Sequence, residues 1–161
     1  GASDSKIMDA QAGAEAMFSI INALLCRANI IHDVGFLEYG STSSLEMITM
    51  ANELIAMSRF FVNGIPVNED TLALEVIEKV AKQGPGFTFK TEDHTIKHFR
   101  DAQFFPKLMD RTGYDFWEQA GARNMYQRCN IEAKRILAEH QVEPKPDDVL
   151  KEIDNIVQGC K

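Results

Sequence analysis

The feature that most restricts the fold is one short β-branched segment enclosed by helices. The residues of Asn29–His32 are Asn-Ile-Ile-His; they follow a helical apolar pattern over about Asp9–Arg27, and Asp33-Val34-Gly35 interrupts them. This pattern predicts a short buried strand between two helices, which is the element order of an α/β unit. A single strand cannot form a sheet, because its backbone needs hydrogen-bonded neighbours. The sequence therefore predicts a piece of a larger α/β structure.

The rest of the chain is predicted to be mostly helical. Ser43 and Glu46 have the spacing of a capping box, and the helix that they begin is expected to end at Asn63-Gly64. Asn68 opens the next predicted helix, and Gly84-Pro85-Gly86 stops it. The later predicted elements are a strand at Phe87–Phe89 and helices at Thr91–Phe99, Tyr114–Ala120, Ala122–His140 and after a cap at Asp147 or Asp148.

The charge and the apolar runs exclude several classes of partner. The chain of 161 residues, enough for one domain, has 17 Lys and Arg against 24 Asp and Glu. The resulting net charge of −7 disfavours nucleic acid and anionic membranes as partners. The apolar run Ala16–Cys26 is too short to span a bilayer, and we expect no secretory signal. The cysteines match no zinc or redox pattern, so a reducing, cytoplasmic compartment is expected; they are Cys26, Cys129 and Cys160.

Polar residues around the predicted strand are the first candidates for chemistry. Asp4 and Lys6 precede the first helix, where Asp4 can orient a base or a cation and Lys6 can hold an anion. The alternative is a flexible terminus or a solvated helix cap. His32 and Asp33 end the predicted strand, where α/β enzymes bind ligands, and they can transfer a proton. They serve one site only if the backbone bends, and the alternative is a core histidine bonded to the backbone.

Glu38 and Tyr39 follow in the loop Gly35–Ser43, which is rich in Gly, Ser and Thr. A tyrosine face beside a carboxylate suits a methylated ammonium ion, because the ring attracts a cation even when its nitrogen has no N–H to donate. The alternative is an ordinary loop aromatic residue. This pair therefore indicates a small-cation site without establishing one.

Two further groups have less specific patterns. His94 and His98 are four residues apart on one helix face, a spacing that can hold zinc. No third ligand is evident and Lys97 lies beside the pair, so a surface or packing pair is expected and no metal site is assigned. Three later aromatic residues can form either a cage or core anchors; they are Tyr114, Phe116 and Trp117.

A series of short segments matches one known family in order and spacing. The segments are Asp4-Ser5-Lys6, Asp9–Gly13 with Glu15, Ala28–Gly35, Phe60 with Val62, Gly64 and Ile65, Glu69 with Thr71–Ala73, Val76-Ile77, His94-Thr95, His98–Arg100, and Tyr114 with Trp117, Glu118, Ala120 and Gly121. Through them, from Gly1 to about His140, the chain resembles the carboxyl-terminal part of the trimethylamine–corrinoid methyltransferases.

The resemblance implies an α/β fold, namely the carboxyl-terminal part of a (β/α)8 TIM barrel with additional carboxyl-terminal helices. Residues 1–100 are then the final βα units of the barrel, and residues 101–161 are the helical extension. Asn29–His32 is expected to be the seventh barrel strand. The expected substrate-binding residues are those at the barrel mouth, Asp4, Asp33, Glu38 and Tyr39.

The resemblance also implies an activity and its partners. Such enzymes move a methyl group from trimethylamine, or in relatives from a quaternary amine, to the Co(I) centre of a corrinoid cofactor carried by a separate protein. We expect a methylamine or quaternary amine substrate, a cognate corrinoid protein as partner, and a homo-oligomer. The trimethylamine enzymes carry pyrrolysine, which this sequence lacks, so the catalytic residue is expected just upstream of Gly1. The chain is then a fragment or, as favoured here, begins directly after a nonstandard residue.

Three alternatives stay open at this point. A relative without pyrrolysine would act on glycine betaine or another quaternary amine. A helical interaction fragment would dock another protein without catalysis, and it would fold alone as a cooperative unit. A zinc-binding helical module would use His94 and His98.

Overall fold

A computed structural model describes residues 1–160 of the chain. It is mostly helical, with one two-stranded sheet and two 3-10 turns, Glu38–Gly40 and Phe89–Thr91. The elements in chain order are α1 Ala10–Leu25, β1 Phe36–Leu37, β2 Thr42–Ser43, α2 Leu45–Val62, α3 Glu69–Leu72, α4 Leu74–Gln83, α5 Asp93–His98, α6 Tyr114–Gln119, α7 Met125–Glu139 and α8 Asp147–Gly159. None of these helices is both long and apolar enough to cross a membrane.

The core forms where α1 packs on α2 and where α2 packs on α7. Ala12, Ala16 and Ala51 are completely buried, and their small side chains let the helices approach closely. Ile20 and Met47 fill the space between them and are also completely buried. The i, i+3, i+4 spacing of the apolar residues in α1 therefore does predict its buried face.

Cys129 of α7 is buried in this core. Burial raises the pKa of the Cys129 thiol to about 11, and the negative charge of Glu53 adds to the effect. Because the thiolate is the reactive form, we expect iodoacetamide at about pH 8 to modify Cys129 roughly a hundredfold more slowly in the native protein than in urea. Peptide mapping over a time course measures both rates. Equal rates in native and unfolded protein would contradict the buried position.

The predicted strand at Asn29–His32 is wrong for the isolated chain. These residues form no strand, and Ile30 is 78% exposed. The sheet instead pairs Phe36 with Ser43 and Leu37 with Thr42 in antiparallel register. An extended segment needs a hydrogen-bonded neighbour on each side to become a buried strand, and the described residues supply none on the far side of Ile30.

The extended segment does have a neighbour on one side. Gly1 N lies 3.4 Å from His32 O, Ser3 N donates to Phe36 O at 3.0 Å, and Glu38 N donates to Ser5 O at 3.0 Å. The residue numbers of these pairs rise together, so segments 1–5 and 32–38 run side by side in the same direction. Helix α1 connects them, which is the connectivity of a β-α-β unit. The chain is therefore an α/β fragment.

Side-chain caps account for half of the α-helix starts in residues 1–160, those of α1, α2, α3 and α7. The Asp9 side chain accepts from Ala12 N, and Asn68 forms a capping box with Thr71. The cap of α2 is Ser44 and not Ser43, because it is the Ser44 hydroxyl that accepts from Met47 N.

Three other predictions of secondary structure need correction. The helix predicted from Asn68 is broken in two at Ala73, whose backbone is left-handed with φ +50°. Phe87–Phe89 is not a strand but leads into a 3-10 turn capped by Thr88. Asp147 begins α8 without capping it, since the cap position is Pro146 and makes no side-chain hydrogen bond. The local pattern therefore does not fix where a helix breaks or which residue caps it.

A buried carboxylate fixes the loop that precedes α6. Glu53 of α2 is 6% exposed, and its side chain accepts hydrogen bonds from the amides of Lys107, Leu108 and Met109 at 2.5, 2.7 and 2.9 Å. Arg128 of α7 donates through Nε to Leu108 O at 2.6 Å. The loop is thus held from two helices by charge-assisted hydrogen bonds.

Candidate functional site

Three of the four predicted site residues lie in neighbouring loops. Asp4 stands between Ser3 and Ser5, the two residues whose backbone is hydrogen-bonded to segment 36–38. Glu38 and Tyr39 continue directly from that segment into the 3-10 turn. Asp4 is exposed, Glu38 is half-buried, and Tyr39 is 73% exposed. The backbone pairing of Ser5 with Glu38 therefore places the Asp4 loop beside the turn that carries Glu38 and Tyr39.

Asp33 lies at the other end of the same pair of segments, where Gly1 N approaches His32 O. Its carboxylate contacts the neighbouring imidazole, with 2.7 Å between His32 Nδ1 and Asp33 Oδ2. The backbone of Asp33 is left-handed, with φ +58°, and this bend lets the two adjacent side chains meet. The length of the paired segments thus separates Asp33 from Asp4, Glu38 and Tyr39.

The site loops have an unusual backbone. Asp33, Glu38 and Tyr39 have φ of +58°, +49° and +42°, in the left-handed region that non-glycine residues rarely adopt. Such conformations cost roughly 1–3 kcal/mol each and concentrate at ligand-binding sites. Thr42 Oγ1 donates to Glu38 Oε2 at 3.2 Å and so supports one of the strained residues.

The remaining predicted residues are engaged in other contacts. Lys6 Nζ donates to Asp4 O at 2.9 Å, so its ammonium group is bound to a main-chain carbonyl. Tyr114 and Trp117 have ring centroids 5.6 Å apart, and Trp117 Nε1 donates to Arg123 O at 3.1 Å. Phe116 is 70% exposed, and its position two residues after Tyr114 puts it on a different face of α6. These aromatic residues do not form a three-sided cage.

Two clefts open on the described chain. One of about 490 Å³ is lined mainly by Met8, Gly13, Met50, Asn124 and Met125. Another of about 360 Å³ lies along the start of α7. Neither of the two is lined by Asp4, Asp33, Glu38 or Tyr39.

Comparison with known families decides where this α/β fragment belongs. The family model described as trimethylamine methyltransferase (MTTB) matches residues 1–159, which is nearly the whole chain. The chain belongs to the trimethylamine methyltransferase family. The resemblance seen in the sequence is therefore confirmed, and the segments that carry it span α1 to α6.

Individual members of the trimethylamine methyltransferase family give the degree of similarity. The chain is 39% identical over 158 residues to trimethylamine methyltransferase MttB of Desulfitobacterium hafniense, covering 98% of this chain and 31% of that protein. It is 36% identical over 151 residues to MttB of Methanosarcina thermophila, covering 94% of this chain and 30% of that protein. A glycine betaine methyltransferase of D. hafniense is 37% identical over 141 residues, or 87% of this chain and 29% of that protein. The chain thus spans about three tenths of the length of these curated relatives.

Sequence reasoning missed the polar network that supports the site in this family member. Ser3 is buried, its hydroxyl donates to Glu15 Oε2 at 2.6 Å, and Asp4 N donates to the same oxygen at 2.8 Å. The hydrogen bond from Ser3, followed by those from Gln11 and Asp4, lowers the pKa of Glu15 from its usual value. The carboxylate therefore stays ionised and anchors the Asp4 loop to α1. The only local signal is a glutamate in the second turn of a helix that follows a serine-rich stretch.

Proposed function

We propose that this chain is part of an enzyme that moves a methyl group from trimethylamine to the Co(I) centre of a corrinoid protein. The observation that carries the proposal is the family match over residues 1–159, together with identities of 33–39% to relatives named trimethylamine methyltransferase. The corrinoid would be carried by the partner protein. Because the 161 residues are all standard, a pyrrolysine would belong to a part of the relatives that this chain does not span.

The proposed architecture is the last part of a (β/α)8 barrel. Residues 1–100 would form the final βα units and residues 101–161 the helical extension. The parallel course of segments 1–5 and 32–38 around α1 supports this, because a barrel is built from such units. The exposure of Ile30 supports it too, since the layers on either face of a barrel sheet would cover this apolar side chain. The apolar face of α8 is similarly exposed; it comprises Val149, Leu150, Ile153, Ile156 and Val157.

The proposed substrate-binding residues are Asp4, Glu38 and Tyr39, with Asp33 at the opposite end of the same pair of segments. In a barrel, loops that follow strands line the catalytic face. The left-handed backbone of Glu38 and Tyr39 supports a binding role, because strain of this kind is kept where a ligand is held. Asp33 precedes the segment that Glu38 follows, so its assignment rests on the family resemblance and on its contact with His32.

The proposed chemistry is a nucleophilic displacement at a methyl carbon. The substrate would be the protonated amine. Its carbon–nitrogen bond would break, the electron pair and the proton would stay on nitrogen, and neutral dimethylamine would leave while the corrinoid partner takes up the methyl group. The ring of Tyr39 and the carboxylates of Asp4 and Glu38 would attract the positively charged amine and hold the methyl carbon in line. Docking of the corrinoid partner on the same face would exclude water from these loops.

The decisive experiment is reconstitution of the full-length natural protein with its cognate corrinoid protein in the Co(I) form. We expect trimethylamine to be consumed and dimethylamine to form in equal amounts. Glycine betaine in place of trimethylamine tests the alternative, which the relative 37% identical over 141 residues favours. If dimethylglycine forms and trimethylamine does not react, glycine betaine replaces trimethylamine as the proposed substrate. If neither amine transfers a methyl group, the proposal is overturned.

Two variants separate the contribution of the Tyr39 ring from that of its hydroxyl group. Tyr39→Phe keeps the aromatic face and is expected to keep kcat/KM within about twofold. Tyr39→Ala removes the face and is expected to lower kcat/KM about tenfold, in line with a cation–π contribution of roughly 1–2 kcal/mol. Tyr114→Ala is the matched control, because Tyr114 is also an exposed tyrosine, 68%, but lies in α6. Equal activity of Tyr39→Ala and the control would remove Tyr39 from the site.

A reducing compartment is also proposed, because Cys26, Cys129 and Cys160 are free thiols in the described chain. We also propose, on the basis of the family resemblance, that the full-length protein forms a homo-oligomer. Size-exclusion chromatography with light scattering of the full-length protein measures it.

A further inference from the structure

Three side chains that can bind a metal ion meet between α3 and α5. They are Asp70 of α3 and His94 and His98 of α5, and their ligand atoms all lie within 4.8 Å of one another. The two imidazole rings have centroids 4.4 Å apart. Sequence analysis saw only the histidine pair and no third ligand. The third ligand is Asp70, 24 residues before His94, which the fold brings to the pair.

The spacing of the three groups suits a small tetrahedral ion. His98 Nε2 lies 3.1 Å from Asp70 Oδ2. Two ligands of a tetrahedral zinc ion lie about 3.4 Å apart when each bond is about 2.1 Å long, which is close to the distance between His98 and Asp70. The remaining ligand atoms lie within 4.8 Å and would move closer as the ion binds. Two imidazoles and one carboxylate favour zinc or a similar transition metal over magnesium or calcium, which prefer oxygen ligands.

His98 has an unmet requirement that a metal ion would satisfy. Its Nε2 is buried and, within residues 1–160, has no hydrogen-bond partner, although Asp70 Oδ2 is only 3.1 Å away. The carboxylate is close but outside hydrogen-bonding geometry. A buried ring nitrogen without a partner is costly and is rare in native proteins.

Lys97 is the competitor for the same carboxylate. Its Nζ lies 2.8 Å from Asp70 Oδ2, and its side chain is 64% exposed, so the ammonium can move into solvent. His94 is tied to the same residue, with 2.6 Å between its Nε2 and Asp70 O.

We propose that Asp70, His94 and His98 bind one divalent transition-metal ion, with Zn²⁺ as the best chemical match. Three protein ligands leave a fourth position for water or another donor. The ion would join α5 to the segment that begins with α3. This site is separate from the loops of the proposed methyl transfer, so each proposal can fail without the other.

The test is zinc binding by the full-length natural protein, without amine substrate or corrinoid partner. The protein is stripped with a chelator, titrated with Zn²⁺ against a chromophoric competitor, and its metal content is measured after gel filtration. We expect Asp70→Asn, His94→Ala and His98→Ala each to weaken this zinc binding at least about a hundredfold, since loss of even an outer-shell partner weakens binding ten- to a hundredfold. His32→Ala and His140→Ala are the matched controls and should leave it unchanged. If the wild type binds no zinc, or only the controls lose it, the proposal is overturned.

A gain-of-affinity variant makes the test independent of folding. Lys97→Met removes the competing cation and keeps the length of the side chain, so we expect tighter zinc binding by about tenfold. Thermal melts by circular dichroism, with and without Zn²⁺, should show a rise in Tm for the wild type and a larger one for Lys97→Met. No rise in Tm for either, or a loss of affinity in Lys97→Met, would contradict the site.

Discussion

Replacing Glu53 is expected to cause the largest loss of stability of any single substitution considered for this protein. Glu53→Ala should lower the free energy of unfolding by about 4 kcal/mol, because three amides lose a charged acceptor inside the protein. Glu53→Gln should lower it by about 2 kcal/mol. The glutamine oxygen can still serve Lys107 and Leu108, but the amide nitrogen is a donor and would face the N–H of Met109.

Urea unfolding of the full-length protein measures the global effect, and hydrogen exchange measures the local one. The amides of Lys107, Leu108 and Met109 should exchange rapidly in Glu53→Ala and slowly in the wild type. Glu78→Gln is the matched control, since Glu78 is a helical glutamate with a side chain 65% exposed and only an i, i+4 ion pair with Lys82. Unchanged exchange at the three amides in Glu53→Ala would show that the carboxylate does not hold this loop.

Gly35→Ala is expected to have the second largest effect, a loss of about 3 kcal/mol. A Cβ at Gly35 would lie 2.1 Å from Ile48 Cγ1 and 3.2 Å from Ile48 Cα, and the backbone has φ +88°. Both the collision and the left-handed backbone therefore oppose a side chain. Gly35 lies between Asp33 and Glu38, so the methyl transfer proposed for the full-length protein should fall together with stability.

Gly40→Ala separates the two causes. Gly40 also has a positive φ, +95°, but nothing lies within 4 Å of a Cβ built there. This variant should lose only the backbone contribution, about 1 kcal/mol. Ile48→Ala should cost less in the Gly35→Ala background than alone, because it removes the colliding atom. Equal losses for Gly35→Ala and Gly40→Ala would mean that Ile48 moves aside freely.

Most of the helices could be predicted because their signals are local. The spacing of apolar residues in α1 and the side chain of Asp9 are sufficient for a helix that begins at Ala10. The break at Ala73 could not be predicted in this way. Alanine is a good helix former, and its left-handed backbone between α3 and α4 follows from the loop that the tertiary structure imposes.

The candidate site was predictable as a set of residue types and only in part as a cluster. Glu38 and Tyr39 are adjacent in sequence, so their proximity is assured. Asp4 joins them through the backbone pairing of Ser5 with Glu38, whereas Asp33 stays at the far end of the same segments. The pairing of the two segments decides that Asp4 lies near Glu38 and that Asp33 lies far from it. Local sequence does not encode this pairing.

The sequence by itself determined the helical content, the family and the chemistry available in the loops. These depend on residue order, on spacing along one helix face and on side chains that cap their own helix. Only the tertiary structure decided which distant groups meet. Glu53 reaches amides 54 to 56 residues away, and Asp70 meets His94 and His98 across two helices and a loop. Such contacts arise because a buried charge or ring nitrogen is stable only with a polar partner nearby. Which partners lie nearby depends on how the helices pack, and that packing is a property of the whole chain.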